Sequence, residues 1–337
     1  METSFFDKSI FMIIIVFVFF IVMNFVVMRK TSTSKKIEKL PNLINSQIEG
    51  PLHNYSVLSS WNSCVDNTYD VSLVQLRKVL YFGFRFLDFE VFFVDNKPRI
   101  AYSYSGNFDD FNSVNSLLLF DVLNFIASTA FSDPVPNPND PLFLHFRIRT
   151  RDPNVFEKMA EHLHGSDLFG KLYSGTFRST SSMNALRGNT IIIVDAEYTP
   201  NVLTNDSCDE NCLLDIKTLV HTYSNTSSLT STRVDMIEDT NPTDDNAQVN
   251  YAYTYKKLRM ASLGIGPYLT SQNINYPAKM IFNHKRTFLP FKVYQEDEEL
   301  SNYQQLFKTY GNSTAFINMY ALSDDARSRL VEEEEAG

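Results

Sequence analysis

The chain has 337 residues, of which 44% are hydrophobic and 20% are charged, and it contains 28 Phe and 17 Tyr. This composition supplies ample apolar material for a core and excludes a chain that is disordered throughout. The formal net charge of −9 argues against nucleic acid as a partner, because phosphate contacts require clustered Lys and Arg.

The first predicted element is a membrane span. From Ile10 to Met28 the chain reads IFMIIIVFVFFIVMNFVVM, in which Asn24 is polar and no residue is charged. A helix of this length rises about 29 Å and just spans a hydrocarbon core of ~30 Å. A cleaved signal peptide is the alternative, but its apolar region is usually about 7–15 residues long and ends at a small-residue cleavage site. We therefore expect a short segment over 1–8 and a transmembrane helix over 9–28.

The segment that follows, residues 29–50, is polar and predicts a basic juxtamembrane linker. The basic residues of this segment are Arg29, Lys30, Lys35, Lys36 and Lys39. On the other side of the span the chain has one basic residue, Lys8. The positive-inside rule then places the large domain of this single-pass chain on the cytoplasmic side. The same residues suit an anionic lipid surface, so the lipid bilayer is an expected partner.

Beyond residue 50, short apolar strands alternate with amphipathic helices. Predicted strands are YSVLSS, RFLDFEVFF, PLFLHFRIR and NTIIIVDAE, and predicted helices are VSLVQLRKVLYFG, SLLLFDVLNFIASTAF and NVFEKMAEHLHG. This alternation predicts parallel strands with crossover helices. Length alone allows one barrel or two medium domains.

Residues 199–250 break this alternation. They are rich in Asn, Asp, Ser and Thr, so we expect long loops around a short LLDIKTLVHTY element. Further on, LPFKVYQ predicts a strand, DEELSNYQQLFKTYG a helix and STAFINMYAL an extended segment. Residues 321–337 form an acidic tail, which we expect to be solvated.

Three cysteines, Cys64, Cys208 and Cys212, are too few for a disulfide framework and agree with a reducing compartment. Cys208 and Cys212 could ligate a metal or close a small loop. No second Cys/His pair at zinc-finger spacing accompanies them, and the sequence leaves open whether they pair.

Several blocks resemble phosphatidylinositol-specific phospholipase C. PLHNYSVLSSWNSC resembles the opening of the family's X region, which reaches Ser-Ser-His-Asn with the same spacing, and GFRFLDFEVF resembles its Gly-Cys-Arg-x-x-Glu-x-Asp block. PLFLHFRIR, MNALRGNTIIIVD, NINYP and the segment FLPFKVYQEDEELSNYQQLF resemble later blocks in the same order. The resemblance covers about residues 51–320 and implies an irregular TIM-type α/β barrel of the phospholipase C-like phosphodiesterase kind.

The resemblance also implies a site at the carboxyl ends of the strands. In this family a calcium ion and two histidines promote attack of the inositol 2-hydroxyl on phosphorus. By position, Asn62, Asp88 and Glu90 retain three oxygen ligands suited to a hard cation, with the two acids on one strand face. Arg147 stands at the fourth ligand position, which disfavours calcium because the guanidinium could pair with either acid. No other cofactor is expected.

Both catalytic histidine positions differ from the family pattern. Trp61 and Tyr102 stand where the family has its histidines. His145 is the one candidate replacement acid or base, the alternative being a hydrogen-bonded interior histidine. Arg147, Tyr102 and Tyr104 are candidates for holding a phosphate or lipid headgroup, although packing alone can explain the tyrosines.

Three functions follow from this interpretation. The favoured one is a catalytically inactive, membrane-anchored module that binds an inositol phospholipid headgroup or protein partners, or serves structurally. The first alternative is an active phosphoric diester hydrolase that cleaves inositol phospholipids with a base outside the family pattern, such as His145. The second is an assembly component of a virion or organelle membrane.

Overall fold

The computed structural model describes residues 48–104, 108–195, 212–224, 226, 228–233, 258–262, 275, 278, 280–281, 286–311 and 315–319. All of them lie in one compact unit, Lys39–Gly337. No helix of this part of the chain is both long and apolar enough to cross a membrane. The predicted transmembrane helix over 9–28, most of the linker and the tail over 321–337 lie outside the described residues.

The described part has a mixed α/β fold. The helices are α1 (Leu73–Tyr81), α2 (Leu119–Ala130), α3 (Asn154–Gly165), α4 (Met183–Leu186), α5 (Cys212–Leu219) and α6 (Glu298–Tyr310). The strands are β1 (Tyr55–Val57), β2 (Ser59–Ser60), β3 (Phe86–Val94), β4 (Lys97–Ala101), β5 (Leu117–Leu118), β6 (Leu142–Ile148), β7 (Thr190–Asp195), β8 (Thr222–Tyr223), β9 (Leu229–Arg233), β10 (Leu258–Ser262) and β11 (Phe316–Asn318).

The central sheet has the order β5-β4-β3-β6-β7-β8, and β2 also pairs with β3. Strands β2, β3, β6, β7 and β8 are parallel to their neighbours in this series, as the strand–helix alternation predicts. Strand β3 accommodates two partners on one side, β2 along its first two residues and β4 from Glu90 onward.

Isolated parallel bridges extend this ladder beyond β2. Phe288 bridges to Val57 and to Met260 of β10, Phe291 bridges to Ser60, and β10 pairs in parallel with β9. The parallel series therefore runs β9, β10, residues 288–291, β1 and β2, β3, β6, β7, β8. In the described ranges no pairing joins β8 to β9, so these residues do not form a closed barrel.

The three predicted helices that cover this sheet are confirmed, and each buries one face. In α1 the side chain of Ser72 accepts a hydrogen bond from the amide of Val74, which caps the first turn. The buried positions recur every three or four residues in α1, α2 and α3, as an amphipathic helix requires; they are Leu76, Val79 and Leu80, then Leu119, Val122, Leu123 and Ile126, then Val155, Phe156, Met159 and Leu163.

An aromatic layer fills the interior below the candidate site. The Phe288 ring lies 4.6 Å from the Phe86 ring and 5.2 Å from the Phe143 ring, measured between centroids, and all three side chains are fully buried. Asp88 and His145 lie two residues further along β3 and β6, so these polar side chains pack directly above the aromatic layer.

Two predictions of local structure were wrong, and one hairpin was missed. The predicted strand RFLDFEVFF is confirmed as β3, but it continues into an antiparallel hairpin with β4, through a turn in which Asp95 and Asn96 both have positive φ. The Ser/Thr-rich segment that suggested a loop contains β9, because β-branched threonines pair well in a parallel ladder. LPFKVYQ, residues 289–295, forms no regular strand; within it Phe291 makes an isolated bridge to Ser60.

Candidate functional site

Most of the predicted site residues come together on β3 and β6 and directly after β2. Strand register places Asp88 opposite His145 and Glu90 opposite Arg147. Because side chains two apart on a strand share a face, all four project to the same side of the sheet. Trp61 and Asn62 follow β2 directly and complete the group, and all six side chains are buried.

The guanidinium of Arg147 is the centre of this arrangement. Its Nε donates to Asp88 Oδ1 at 2.9 Å, and its Nη2 donates to Asp88 Oδ2 at 2.7 Å and to Asn62 Oδ1 at 2.6 Å. Its Nη1 donates to Glu90 Oε1 at 2.7 Å. Burial alone would lower the pKa of Arg147, but Asp88 and Glu90 raise it, so this side chain stays cationic.

Trp61 covers the open face of this guanidinium. The Arg147 Cζ atom lies 3.6 Å from the centroid of the Trp61 ring, a stacked cation–π geometry. The indole is 6% exposed. With hydrogen-bonded oxygens around its edge and an indole on its face, the guanidinium has no free surface for a phosphate.

Asp88 is ionised and held by several donors. Burial would raise its pKa, but the charge of Arg147 and the hydrogen bonds from His145 and Arg147 lower it to about 2. The backbone amide of Asn62 also donates to Asp88 Oδ2, at 3.0 Å. Asn62 has φ of 47°, a left-handed conformation that Asn tolerates better than most residues, and this turn aims both its amide and its side chain at the cluster.

His145 is oriented by Asp88. Its Nδ1 lies 2.7 Å from Asp88 Oδ1, and since a carboxylate only accepts, Nδ1 carries the hydrogen. The side chain is 1% exposed, and no described residue hydrogen-bonds to its Nε2. A general acid or base must reach a substrate proton, so the burial of Nε2 argues against that role in this conformation.

Glu90 connects the cluster to a second arginine. Its Oε1 accepts from Arg147 and from Arg149 Nε at 3.2 Å, and its Oε2 accepts from the backbone amide of Ser103 at 2.9 Å. Two carboxylates, Asp88 and Glu90, therefore face two guanidiniums inside the protein. This balance of charge is what allows such a group to remain buried.

Three tyrosines from separate loops pack together beside Glu90. The rings of Tyr69 and Tyr102 stack with centroids 5.7 Å apart, and the Tyr294 ring meets both edge-on, at 6.0 Å and 6.4 Å. Burial and the charge of Glu90 raise the pKa of Tyr102 to about 12. Tyr104 lies apart from this cluster and is 46% exposed, so the structure does not bring it to the other candidates.

These residues do not fit a calcium ion. The three oxygens that would ligate the metal, Asn62 Oδ1, Asp88 Oδ2 and Glu90 Oε1, all accept hydrogen bonds from Arg147. A divalent cation between them would meet the guanidinium at contact distance, and like charges repel strongly at that range. Within the described residues there is no group of three or more His, Cys, Asp or Glu side chains that could hold a metal.

Among the side chains that the structure describes, cysteine adds no second site, since of the three cysteines Cys64 alone has a described side chain. Cys64 is a free, buried thiol, and burial raises its pKa, which makes it unreactive. Cys208 lies outside the described residues.

Sequence reasoning missed Arg149, Tyr69 and Tyr294 as members of the site. Arg149 stands two residues after Arg147, so strand periodicity could have placed it on the same face. The two tyrosines come from loops more than 200 residues apart in the sequence, and no local pattern predicts their contact.

Asp195, at the end of β7, lies opposite Arg147 and accepts from Ser224 Oγ at 2.7 Å.

Comparison with known proteins gives no sequence-level family but a clear structural likeness. No family model matches the chain, and no curated protein sequence matches it. The structure of PLC21 from L. pealei matches with a TM-score of 0.61 and 16% identity, over 83% of this chain and 38% of that one. PLC21 from S. officinalis matches with a TM-score of 0.59 and 15% identity, over the same shares of the two chains.

A calcium-dependent phosphoinositol-specific phospholipase C from a Pseudomonas species is also similar, with a TM-score of 0.44 and 13% identity, over 78% of this chain and 96% of that one. The present chain matches only 38% of the length of each PLC21 structure. At these identities the likeness shows the fold alone. The chain has a phospholipase C-like α/β fold.

Proposed function

We propose that this protein is a catalytically inactive phospholipase C-like barrel, tethered to a membrane through residues 9–28, that acts as a protein-binding or structural module. The observation that carries the proposal is the position of the Arg147 guanidinium among Asn62, Asp88 and Glu90, under the indole of Trp61. In this proposal the parallel series from β9 to β8 forms the wall of an irregular TIM-type barrel over residues 51–320.

Phosphodiester cleavage needs an acid and a base within reach of the substrate and a group that stabilises negative charge on phosphorus. Trp61 has no titratable group, and Tyr102, whose pKa burial and Glu90 raise to about 12, stays protonated at neutral pH and is a poor acid. Arg147 already donates to Asp88, Glu90 and Asn62. The cluster around Arg147, which we call the mouth, therefore lacks a group for each of these three roles.

The filled mouth also determines which kind of module we favour. A lipid headgroup would have to displace Trp61 or compete with two carboxylates for Arg147. A partner that binds the outer surface of the barrel would disturb neither contact. We therefore place partner binding on the outer surface, with protein as the partner and the bilayer as the anchor, the large domain lying on the cytoplasmic side. Calcium is not required for this function.

One observation favours a second candidate, a phosphodiester hydrolase based on His145. Asp88 orients the imidazole through Nδ1, and Nε2 has no hydrogen-bond partner among the described residues. This is the arrangement of a carboxylate-supported general base. It would operate only if the cluster around Arg147 opened and admitted substrate.

The test is inositol phosphate release from phosphatidylinositol vesicles by the full chain, measured with calcium and with a chelator. We expect no release above that of a His145→Gln variant in either condition. Turnover that His145→Gln abolishes would overturn the proposal in favour of the hydrolase. Vesicle flotation tests the tether separately: the full chain should float with vesicles and a chain lacking residues 1–28 should not.

A further inference from the structure

His221, just before β8, uses both ring nitrogens to hold the backbone. Its Nδ1 lies 3.0 Å from the backbone nitrogen of Ile192, and its Nε2 lies 2.7 Å from the carbonyl oxygen of Tyr173. An amide only donates and a carbonyl only accepts, so Nδ1 must carry the lone pair and Nε2 the hydrogen. The contacts therefore specify a neutral imidazole in one tautomer.

The ring of His221 accepts a backbone hydrogen bond of β7 that a carbonyl of the neighbouring strand would otherwise accept. The backbone amide of His221 donates to the carbonyl of Ile192 at 2.9 Å, while its ring accepts from the amide of the same residue. Regular pairing between the two strands comprises only Ile193 with Thr222 and Val194 with Tyr223. The ring therefore adds one hydrogen bond at the start of β8, whose other end is held by the Ser224 amide on the Val194 carbonyl at 3.0 Å and by Ser224 Oγ on Asp195 at 2.7 Å.

Strand β8 is also where the parallel series ends. In the described ranges β8 pairs with β7 and has no pairing with β9. A strand that is short and paired on one side depends on each of its remaining hydrogen bonds, and such edges are the segments that open locally at least cost.

Among the residues that the structure describes, none contributes a charge that would stabilise a protonated His221 ring. Its neighbours are the rings of Tyr173, at 6.2 Å, and Phe177, at 6.3 Å between centroids. Among the described side chains, Tyr173 is the titratable group that faces the imidazole, and Lys217 of α5 is exposed. Burial lowers the pKa of His221, with a smaller opposing contribution from the Tyr173 carbonyl.

We propose that His221 is an acid-sensitive latch that fastens β8 to β7. A proton on Nδ1 would set two donors, Nδ1–H and the Ile192 amide, against each other, and that hydrogen bond would be lost. The edge formed by β8 and the end of α5 would then open below neutral pH, while the sheet from β3 to β7 remains paired.

Hydrogen–deuterium exchange of the full chain in mild detergent, read by mass spectrometry and corrected for intrinsic exchange rates, tests this. For one proton taken up on opening, the opening constant of peptides spanning 190–195 and 216–224 should rise by up to about tenfold between pH 7.5 and 5.5. Peptides from α2 should not change. Equal opening of α2, or no change in either segment, would overturn the proposal.

Two variants assign the effect. In His221→Asn, Oδ1 can still accept from Ile192 but does not titrate, so we expect the pH dependence to disappear. In His164→Asn, which replaces an exposed histidine of α3, it should remain. A pH dependence that survives in His221→Asn contradicts the latch. Nitrogen-15 spectra of the histidine rings at pH 7.5 give an independent reading, because a hydrogen on Nδ1 of His221 would refute the assigned tautomer.

Discussion

Replacing Arg147 with methionine should destabilise the fold strongly. The change keeps a long side chain against Trp61 but leaves Asp88 and Glu90 buried with fewer partners. Asp88 retains His145 and the Asn62 amide, and Glu90 retains Arg149 and the Ser103 amide. Removing one member of a buried ion pair typically costs about 3–5 kcal/mol, and the lost cation–π contact adds about 1 kcal/mol.

Urea denaturation followed through Trp61, the only tryptophan of the chain, measures this loss. The control is Arg178→Met, which removes an exposed arginine and should change stability by no more than about 0.5 kcal/mol. The double variant Arg147→Met with Asp88→Asn should recover part of the loss, because it also removes a buried carboxylate that has lost its guanidinium partner. A loss below about 1 kcal/mol for Arg147→Met would refute the reasoning that Arg147 neutralises the mouth.

Four further outcomes are expected. The free energy of unfolding of the native chain should fall by about 2 kcal/mol as the pH drops from 3.8 towards 2. Asp88 has a lowered pKa of about 2 in the folded chain, so its stabilisation is present above its ordinary pKa of 3.8 and is lost as the pH falls towards the folded value. In Asp88→Asn, urea denaturation measured across the same pH range should lack this component. Tyr303→Phe should cost about 1–3 kcal/mol in thermal unfolding, because the buried hydroxyl accepts from the Ser59 amide at 2.9 Å, and an unchanged midpoint would contradict that. Asp297→Ala should cost about 1–2 kcal/mol, since its carboxylate caps α6 by accepting from the Leu300 amide at 2.8 Å; helix content by circular dichroism should be retained at low temperature. Millimolar calcium should leave the unfolding midpoint of the native chain unchanged, and a rise that EGTA reverses would contradict the displacement of calcium by Arg147.

Much of the fold could be predicted from the sequence because its central strands are long and apolar. RFLDFEVFF and PLFLHFRIR each carry polar residues two apart, and the structure places these on one face, as strand geometry requires. The hairpin of β4 was missed although Asp95 and Asn96 are residues that tolerate the positive φ of a tight turn. Strand β9 was missed because its Ser and Thr residues resemble a loop until a partner strand is present.

The site was harder to predict than the strands because its contacts are tertiary. Periodicity brings Arg147 to the face of its strand but cannot show that four oxygens of three residues and an indole surround it. The tyrosines Tyr69 and Tyr294 meet only in the folded protein. His221 carried no sequence signal, since its function depends on the backbone groups of Ile192 and Tyr173 that the fold places beside it.

A crystal structure of the chain grown with calcium and inositol 1-phosphate tests the central claim most directly. We expect the Arg147 guanidinium on Asn62, Asp88 and Glu90, the Trp61 indole on its face, and neither calcium nor phosphate in the mouth. A calcium ion bound by those three residues, with Arg147 turned away and phosphate near His145, would contradict the account and restore the hydrolase.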